Sequence, residues 1–206
     1  MYGADISIEH RRELTEKVLK TAMAEFQDKG IKAVKMDDIA GALSMSKRTL
    51  YELFGTKEQL LLECVRQWQK DKEAHMDRFI KERKPNVIAI IVEFYRYQMK
   101  CLSYVSSSYF YDLHKYPAVI KWLEADHGNK QKGAMRFFKK GVEEGYFRSD
   151  VNFGLIQAVN SESMTYIVQS KLMEHYTPQQ IFKDVTMLYI RGFCTMKGIQ
   201  TLEEVL

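Results

Sequence analysis

A short basic stretch with the sequence MSKRTLYELF carries the residue types best suited to contact a nucleic acid. The side chains of Lys47 and Arg48 can bind phosphate or the acceptor edge of guanine. The hydroxyls of Ser46 and Thr49 can donate hydrogen bonds to phosphate. On a helix, Tyr51 lies one turn beyond Lys47 and on the same side. Spacing alone leaves open whether this is a phosphate-contacting surface or the solvated end of an ordinary helix.

Two short helices joined by a tight turn are predicted around this stretch from the spacing of its apolar residues. The first covers about residues 36–43, and residues 44–45 form the turn. The second begins after Ser46, which can cap it, and ends near Leu53. With a longer helix on each side, this order is the helix-turn-helix arrangement, whose second short helix enters the major groove N-terminal end first.

The two longer helices have recognisable ends. The first is predicted over about residues 8–29, and Gly30 follows it at the predicted C′ position, where glycine commonly ends a helix. The second is predicted over about residues 57–82, where Thr56 and Gln59 are spaced to form a capping box. The exposed N–H groups at the start of this second helix also favour an anion.

The charge of the chain gives only modest support to nucleic-acid binding. The net charge is +4, and residues 1–60 carry ten Lys/Arg against ten Asp/Glu. A DNA-binding surface in this part of the chain must therefore come from local sorting of charges and not from a surplus of cations.

The remainder of the chain also has helical periodicity, with few stretches of period two. Helices are predicted at roughly 86–102, 104–113, 117–144, 151–174 and 178–197. The sequence therefore predicts an all-α fold of about nine helices, and its 206 residues are enough for one domain or two small ones.

The segment that includes the basic stretch resembles the DNA-binding domain of the TetR family of bacterial transcriptional regulators, over about residues 10–62. The resemblance lies in the segments VLKTAMAEFQDKGIKAVKMDDIA and IAGALSMSKRTLYELFGTKEQLL. The matching positions are Phe26, Gly30, Ile39, Ala40, Ser46, Thr49, Leu50, Tyr51, Phe54, Lys57, Glu58 and Leu60. The resemblance implies a three-helix DNA-binding domain over residues 1–55 and a helical ligand-binding and dimerisation domain over residues 56–206.

The resemblance also implies roles for individual residues. Thr49, Tyr51 and Lys57 match positions that usually contact the phosphate backbone. Lys47 and Arg48 occupy recognition-helix positions that face bases or phosphates.

Three positions depart from the usual family pattern, although Ser46 matches the cap of the recognition helix. Ser44 stands where the turn often has glycine, and Arg48 stands where a small residue is common. Lys35 replaces a threonine that usually caps the second helix and contacts phosphate. A lysine cannot cap through an oxygen, but its ammonium group can still bind phosphate.

Large aromatic residues are concentrated in the middle of the chain, where they either form the core or line an apolar cavity with a few polar tips. The candidates for a ligand pocket are Phe94, Tyr95, Tyr109, Phe110, His114, Trp122 and Phe138. The effector predicted from them is a small apolar or aromatic molecule.

The last two predicted helices are apolar on more than one face, which one core stripe does not require. They are either central helices of their own domain or a pair that packs against its copy in a four-helix bundle, as TetR-like proteins do. The candidates for this dimer interface are Leu155, Val159, Ile167, Val185, Leu188 and Tyr189. Two recognition helices would then lie about 34–36 Å apart, or somewhat more, and read a palindrome.

Several other classes of protein are disfavoured by the sequence. The longest apolar run is far shorter than the ~20 residues of a membrane helix, and no apolar targeting segment is seen at the start of the chain. Three widely spaced cysteines fit neither a disulfide framework nor a zinc pattern and suit the cytoplasm. The five histidines form no metal-binding pair, and common nucleotide-binding and nucleophile motifs are missing, so neither an enzyme nor a cofactor is predicted.

The predicted function is that of a ligand-responsive TetR-like repressor which binds a palindromic operator in double-stranded DNA as a dimer. In this mechanism, the effector favours a state in which the long helix at 57–82 has moved the two helix-turn-helix domains of the dimer out of register with the DNA. The alternative is a helical ligand- or partner-binding protein that keeps the helix-turn-helix without a regulatory role.

Overall fold

The computed structural model describes residues 2–170 and 172–205, and it is helical throughout apart from turns and one isolated bridge between Phe147 and Cys194. The helices are α1 (Tyr2–Lys29), α2 (Met36–Ala42), α3 (Lys47–Phe54), α4 (Lys57–Arg83), α5 (Val87–Leu102), α6 (Ser107–Leu113), α7 (Pro117–Glu143), α8 (Phe153–Gln169), α9 (Pro178–Ile181), α10 (Met187–Phe193) and α11 (Met196–Val205). The predicted all-α fold class is confirmed. Within the described part of the chain, no helix is both long and apolar enough to span a membrane.

The end of the chain differs from the single helix predicted over residues 178–197. The helix stops because Cys194 is extended and pairs with Phe147. Thr195 then caps a further helix, α11, by accepting a hydrogen bond from the N–H of Gly198 at 3.1 Å. Since this stop depends on pairing with a distant residue, local periodicity does not reveal it.

A π-helical turn, Phe182–Thr186, separates α9 from α10. Such turns are rare, and they occur frequently at functional sites. The helix predicted over residues 151–174 also ends early, at Gln169, and a short 3₁₀ turn follows at Leu172–Glu174.

The chain packs into two compact units. The first comprises the residues through Asp71 together with Ser108–Leu123. It thus contains α1, α2, α3, the first half of α4, α6 and the start of α7. Its core includes the fully buried side chains Phe26, Ile39, Leu50, Leu60 and Val119.

The second unit comprises Lys72–Ser107 and Glu124–Leu206. Its core is built around a cluster of phenylalanines, in which the rings of Phe138 and Phe153 stack with centroids 4.5 Å apart. Phe193 meets the ring of Phe147 edge-on at 5.1 Å. The core is completed by aliphatic residues of α5, α10 and α11. The predicted division into residues 1–55 and 56–206 stays a prediction.

Candidate DNA-binding surface and ligand cavity

The N-terminal end of α3 is capped as predicted. The Oγ atom of Ser46 accepts a hydrogen bond from the N–H of Thr49 at 3.0 Å. The two hydroxyl oxygens lie 2.7 Å apart, so one of them donates to the other and the second O–H can still be directed outwards. Leu50 and Phe54 are buried and hold the helix in the core, while Tyr51 is 42% exposed. This helix therefore presents its first turn to solvent.

Both cations of this first turn are paired with carboxylates within the same unit. The Nζ of Lys47 lies 2.8 Å from Asp37 on α2, and this hydrogen bond raises the pKa of the lysine. The Nε of Arg48 lies 2.8 Å from Glu52, one turn further along α3. Neither acid was predicted to pair with these cations. The local charge of the surface is thus close to balanced.

Lys57, at the first position of α4, lies half-buried beside the turn that follows α1. Its Nζ is 3.4 Å from the carbonyl oxygen of Lys32 and 6.0 Å from the ring centroid of Phe26. Burial lowers the pKa of Lys57, although Asp112 and Asp38 act in the opposite sense. This lysine is therefore held close to the protein beside the start of α4.

Capping at the starts of α2 and α4 follows the expectations from sequence. Thr56 and Gln59 form the predicted capping box, with hydrogen bonds of 3.0 and 3.1 Å. Lys35 occupies the N-cap position of α2 without a side-chain capping bond. Instead, its backbone N–H donates to the Oδ2 of Asp38 at 2.8 Å. The exposed ammonium group of Lys35 remains available for an anion.

The turn between α2 and α3 keeps its left-handed geometry despite the departure at Ser44. This residue has φ of +52°, a region that glycine adopts with little strain and other residues adopt at a cost. The N–H of Met45 donates to the carbonyl oxygen of Ala40 at 3.0 Å and closes the turn. The turn before α3 is therefore closed by a backbone hydrogen bond and carries local strain at Ser44.

Helix α6 is fixed to the turn that follows α1. The buried carboxylate of Asp112 accepts hydrogen bonds from the backbone N–H of Lys32 at 2.7 Å and from the Nζ of Lys115 at 2.8 Å. Gly30, which has φ of +85° and ends α1 as predicted, permits this close approach. A Cβ atom there would lie 2.8 Å from the Cβ of Ser108.

A second bond ties α7 to α4 in the same unit. The Oε1 of Glu58, in the first turn of α4, accepts a hydrogen bond of 3.0 Å from the N–H of Ala118 at the start of α7. A carboxylate at a helix N-terminus is electrostatically favourable. The start of α7 is thereby fixed to the helix that directly follows α3.

The second unit contains an apolar cavity of about 380 Å³, within the ~300–1,000 Å³ usual for ligand pockets. It is lined by Ile90, Ile91, Phe94, Tyr95, Ala134, Phe137, Phe138, Ile156, Gln157, Asn160, Thr186, Tyr189, Ile190 and Phe193. None of these side chains is charged. The Oε1 of Gln157 and the Oδ1 of Asn160 are fully buried and have no hydrogen-bond partner among the described residues.

Three of the seven pocket candidates line this cavity, namely Phe94, Tyr95 and Phe138. The other four candidates, Tyr109, Phe110, His114 and Trp122, belong to the first unit and are not among its lining residues. Tyr109 is buried there, where its ring packs edge-on against Phe110. The ring of Trp122 lies 5.8 Å from the guanidinium carbon of Arg66.

The two polar residues of α8 were not predicted as part of a pocket. Gln157 and Asn160 are three residues apart in an apolar helix, and this spacing places both on one face. That pattern was the available signal. Tyr189, which was predicted for a dimer interface, contributes to the cavity wall, where its hydroxyl oxygen lies 3.1 Å from the Oγ of Ser163.

Three of the remaining dimer candidates are exposed on the described chain. Leu155, Val159 and Leu188 are 60%, 44% and 72% exposed. Val185 is half-buried, and Ile167 is buried in the second unit. Helices α8 and α10 thus present apolar side chains to solvent.

Comparison with known proteins gives a consistent picture. The sequence model of the tetR family of bacterial regulatory proteins matches residues 18–64, whereas curated protein sequences give no match. A TetR-family transcriptional regulator from Agrobacterium tumefaciens aligns with a TM-score of 0.69 at 12% identity, over 90% of this chain and 100% of that chain.

Two further solved structures share the fold. A TetR-family transcriptional regulator from Marinobacter aquaeolei VT8 has a TM-score of 0.67 at 18% identity, over 93% of this chain and 98% of that chain. The ketosteroid transcriptional regulator KstR2 of Mycobacterium tuberculosis has a TM-score of 0.57 at 19% identity, over 88% and 95%. The resemblance inferred from the sequence is confirmed: residues 18–64 match the tetR family of bacterial regulatory proteins, and the chain has the fold of solved TetR-family transcriptional regulators.

Proposed function

We propose that this chain is a cytoplasmic, ligand-responsive repressor that binds a palindromic operator as a homodimer and leaves it when a small apolar or aromatic molecule binds. The observation that carries the proposal is the exposed first turn of α3. It presents two cations and two hydroxyls within a segment that matches the tetR DNA-binding domain.

Phosphate contacts set the register of the protein on DNA in this proposal. Thr49 and Tyr51 contact phosphate from α3, Lys57 from the start of α4 and Lys35 from the start of α2. The two cations in the first turn of α3 supply most of the sequence preference, since their side chains can reach base edges in the major groove. To do so they must exchange their intramolecular carboxylates for DNA acceptors.

The exposed apolar side chains of α8 and α10 support dimerisation. An isologous pairing of these helices with their copies would remove the side chains of Leu155, Val159 and Leu188 from contact with water. Tyr166 is 65% exposed on α8 and adds to the same surface. A two-fold axis through this surface relates two helix-turn-helix domains, and such a symmetric pair accounts for a palindromic target.

Helices α4 and α7 provide the proposed coupling between effector and DNA, because each contributes residues to both units. Helix α7 carries the cavity-lining residues Phe137 and Phe138, and its first turn is held by Glu58 at the start of α4. A shift of α7 that accompanies effector binding would move the helix that follows α3. A coupling free energy of about 1–3 kcal/mol would weaken operator binding by about 5- to 150-fold.

The first test is a titration of the purified protein onto fragments of its own upstream region and onto random DNA of equal length, at two salt concentrations. Selection from a random DNA library runs in parallel and finds an operator wherever it lies. We expect selective, salt-sensitive binding by a dimer and enrichment of a palindrome. Equal, weak binding to all DNAs without enrichment would favour the alternative, a ligand- or partner-binding protein that keeps the helix-turn-helix.

Two variants separate the proposed contacts to phosphate and to bases. Lys57→Ala should weaken binding to all sequences and lower the slope of log affinity against log salt by about one. Arg48→Ala should relax preference at one base pair, with a loss of about 5- to 150-fold on the operator. Lys70→Ala, an exposed lysine on α4, is the matched control. Equal losses on operator and random DNA would refute base reading by Arg48.

A further inference from the structure

We propose that the effector is an uncharged, mostly apolar molecule with a hydroxyl group, and that Gln157 and Asn160 bind this hydroxyl. The inference rests on the proposed function for its assumption that the cavity of the second unit is the effector site. It adds the chemical class of the ligand and the side chains that recognise it.

The lack of charge in the cavity excludes a charged ligand. The described lining consists of aliphatic and aromatic side chains, together with two amides, one threonine and two tyrosines. A carboxylate or an ammonium group would leave water without gaining an opposite charge, and such a transfer is strongly unfavourable. The cavity therefore selects for neutral molecules.

The two amides show which polar group the ligand carries. The Oε1 of Gln157 and the Oδ1 of Asn160 are buried without a partner, whereas buried polar groups in folded proteins are nearly always hydrogen-bonded. Both residues lie on the same face of α8. A ligand hydroxyl can donate to a carbonyl oxygen and can also accept from an amide N–H, so it satisfies either rotamer of these side chains.

Among the described wall residues, these two amides are the ones whose buried polar atoms lack a hydrogen-bond partner. The hydroxyl of Tyr189 is already within 3.1 Å of the Oγ of Ser163. Thr186, the last residue of the π-helical turn, also lines the cavity. The irregular turn thus lies at the wall of the cavity, as such turns often do at functional sites.

The test uses three probes of nearly equal shape that differ in one group: 2-naphthol, 2-methylnaphthalene and 2-naphthoate. Each is titrated calorimetrically into the full chain without DNA at pH 7, where a phenol with pKa of about 10 is neutral. We expect 2-naphthol to bind about 10-fold more tightly than 2-methylnaphthalene, as one hydrogen bond allows. We expect 2-naphthoate to bind at least about 100-fold more weakly than 2-naphthol.

Leucine variants assign the hydroxyl to its partners. Asn160→Leu and Gln157→Leu should each reduce the preference for 2-naphthol over 2-methylnaphthalene, and the double variant should abolish it. Ser161→Ala, an exposed change on α8, is the control and should keep the preference. Measuring both probes on each variant cancels general effects of the substitution, because only the interaction between hydroxyl and amide differs.

Every other result overturns the inference. Tighter binding of 2-naphthoate would contradict a neutral effector, and a hydroxyl preference that survives in the double variant would contradict the role of the amides. Binding of none of the probes would also overturn it. Failure of the proposed function looks different, because 2-naphthol would then bind as described without DNA while selective operator binding is missing from the DNA titration.

Discussion

The contact between α6 and the turn after α1 gives a prediction whose size can be worked out from the structure. Asp112 is only 7% exposed, and its Oδ2 accepts from the backbone N–H of Lys32 at 2.7 Å. Removal of the carboxylate in Asp112→Ala loses a hydrogen bond to a charged group and leaves this N–H without its acceptor. We expect a loss of about 2–3 kcal/mol in the free energy of unfolding.

The second partner of this carboxylate provides a matched control. The side chain of Lys115 is 61% exposed, so its ion pair with Asp112 contributes at most about 0.2–1 kcal/mol. Lys115→Ala should therefore cost much less than Asp112→Ala. Asp112→Asn keeps an acceptor for the N–H of Lys32 and should fall between the two, at about 1–2 kcal/mol.

Urea unfolding followed by tryptophan fluorescence is the suitable assay, because Trp68 and Trp122 both belong to the first unit and are the two tryptophans of the sequence. Calorimetry should show the same order, with a fall in Tm of about 4–12 °C for Asp112→Ala. If Asp112→Ala were no less stable than Lys115→Ala, the backbone hydrogen bond would not stabilise the unit and the reasoning would be refuted.

Acid should remove the same contribution. Burial alone would raise the pKa of Asp112, but the hydrogen bonds from Lys115 and from the N–H of Lys32 outweigh it and lower the pKa. A carboxyl whose pKa is lower in the folded chain stabilises the fold above its unfolded value of about 4, and loses this effect as the pH falls through the folded pKa. The advantage of the wild type over Asp112→Asn should therefore shrink below about pH 4.

Two further predictions concern strain and buried charge. Ser44→Gly should raise the free energy of unfolding by about 0.5–1 kcal/mol. The strain of a left-handed serine is removed, and this gain exceeds the loss that comes from the greater conformational entropy of glycine in the unfolded chain. An unchanged or lower Tm would contradict the prediction. Burial and the neighbouring Lys130 lower the pKa of Lys72 to about 8, so the charged lysine destabilises the fold at pH 7. Lys72→Met removes this charge and also removes the contact of the ammonium group with the ring of Phe94 at 4.5 Å. We expect a net gain of about 1–2 kcal/mol in the free energy of unfolding. Lys72 loses its proton near pH 8 in the folded chain but only near pH 10.5 in the unfolded chain, so the wild type should gain stability between these pH values. The difference in free energy of unfolding between Lys72→Met and the wild type should therefore shrink over this range. A difference that stays constant with pH in chemical denaturation would argue against a destabilising charge.

Local signals in the sequence account for most of what could be predicted of the helix-turn-helix segment. The serine cap of α3, the capping box of Thr56 and Gln59, and the glycine after α1 each depend on residues at most four positions apart. Those features appear in the structure as expected. The contacts of Lys47 with Asp37 and of Asp112 with Lys32 join residues 10 and 80 positions apart, and a single sequence does not show such pairs.

The second unit was predicted less well for the same physical reason. Its aromatic residues were identified, but periodicity cannot tell a core residue from a cavity-lining one, because both are apolar and both face inward. Tyr189 is an example, since it was predicted for a dimer interface and its side chain also lines the cavity. Its part in an interface stays a prediction. The polar pair Gln157 and Asn160 is more informative than any aromatic residue, because a buried amide needs a partner.

The balance of charges on α3 sets how the proposed regulator would discriminate among DNA sequences. A recognition helix with free cations binds any phosphate backbone, and such binding is sequence-independent. Here Lys47 and Arg48 already have carboxylate partners at 2.8 Å, which random DNA must replace with phosphates at little gain. Only a site that also offers base acceptors in the right positions supplies the additional hydrogen bonds. If the chain binds DNA as proposed, the acids beside Lys47 and Arg48 would therefore reduce non-specific affinity more than specific affinity. Such an effect would suit a chain whose first 60 residues carry no net charge.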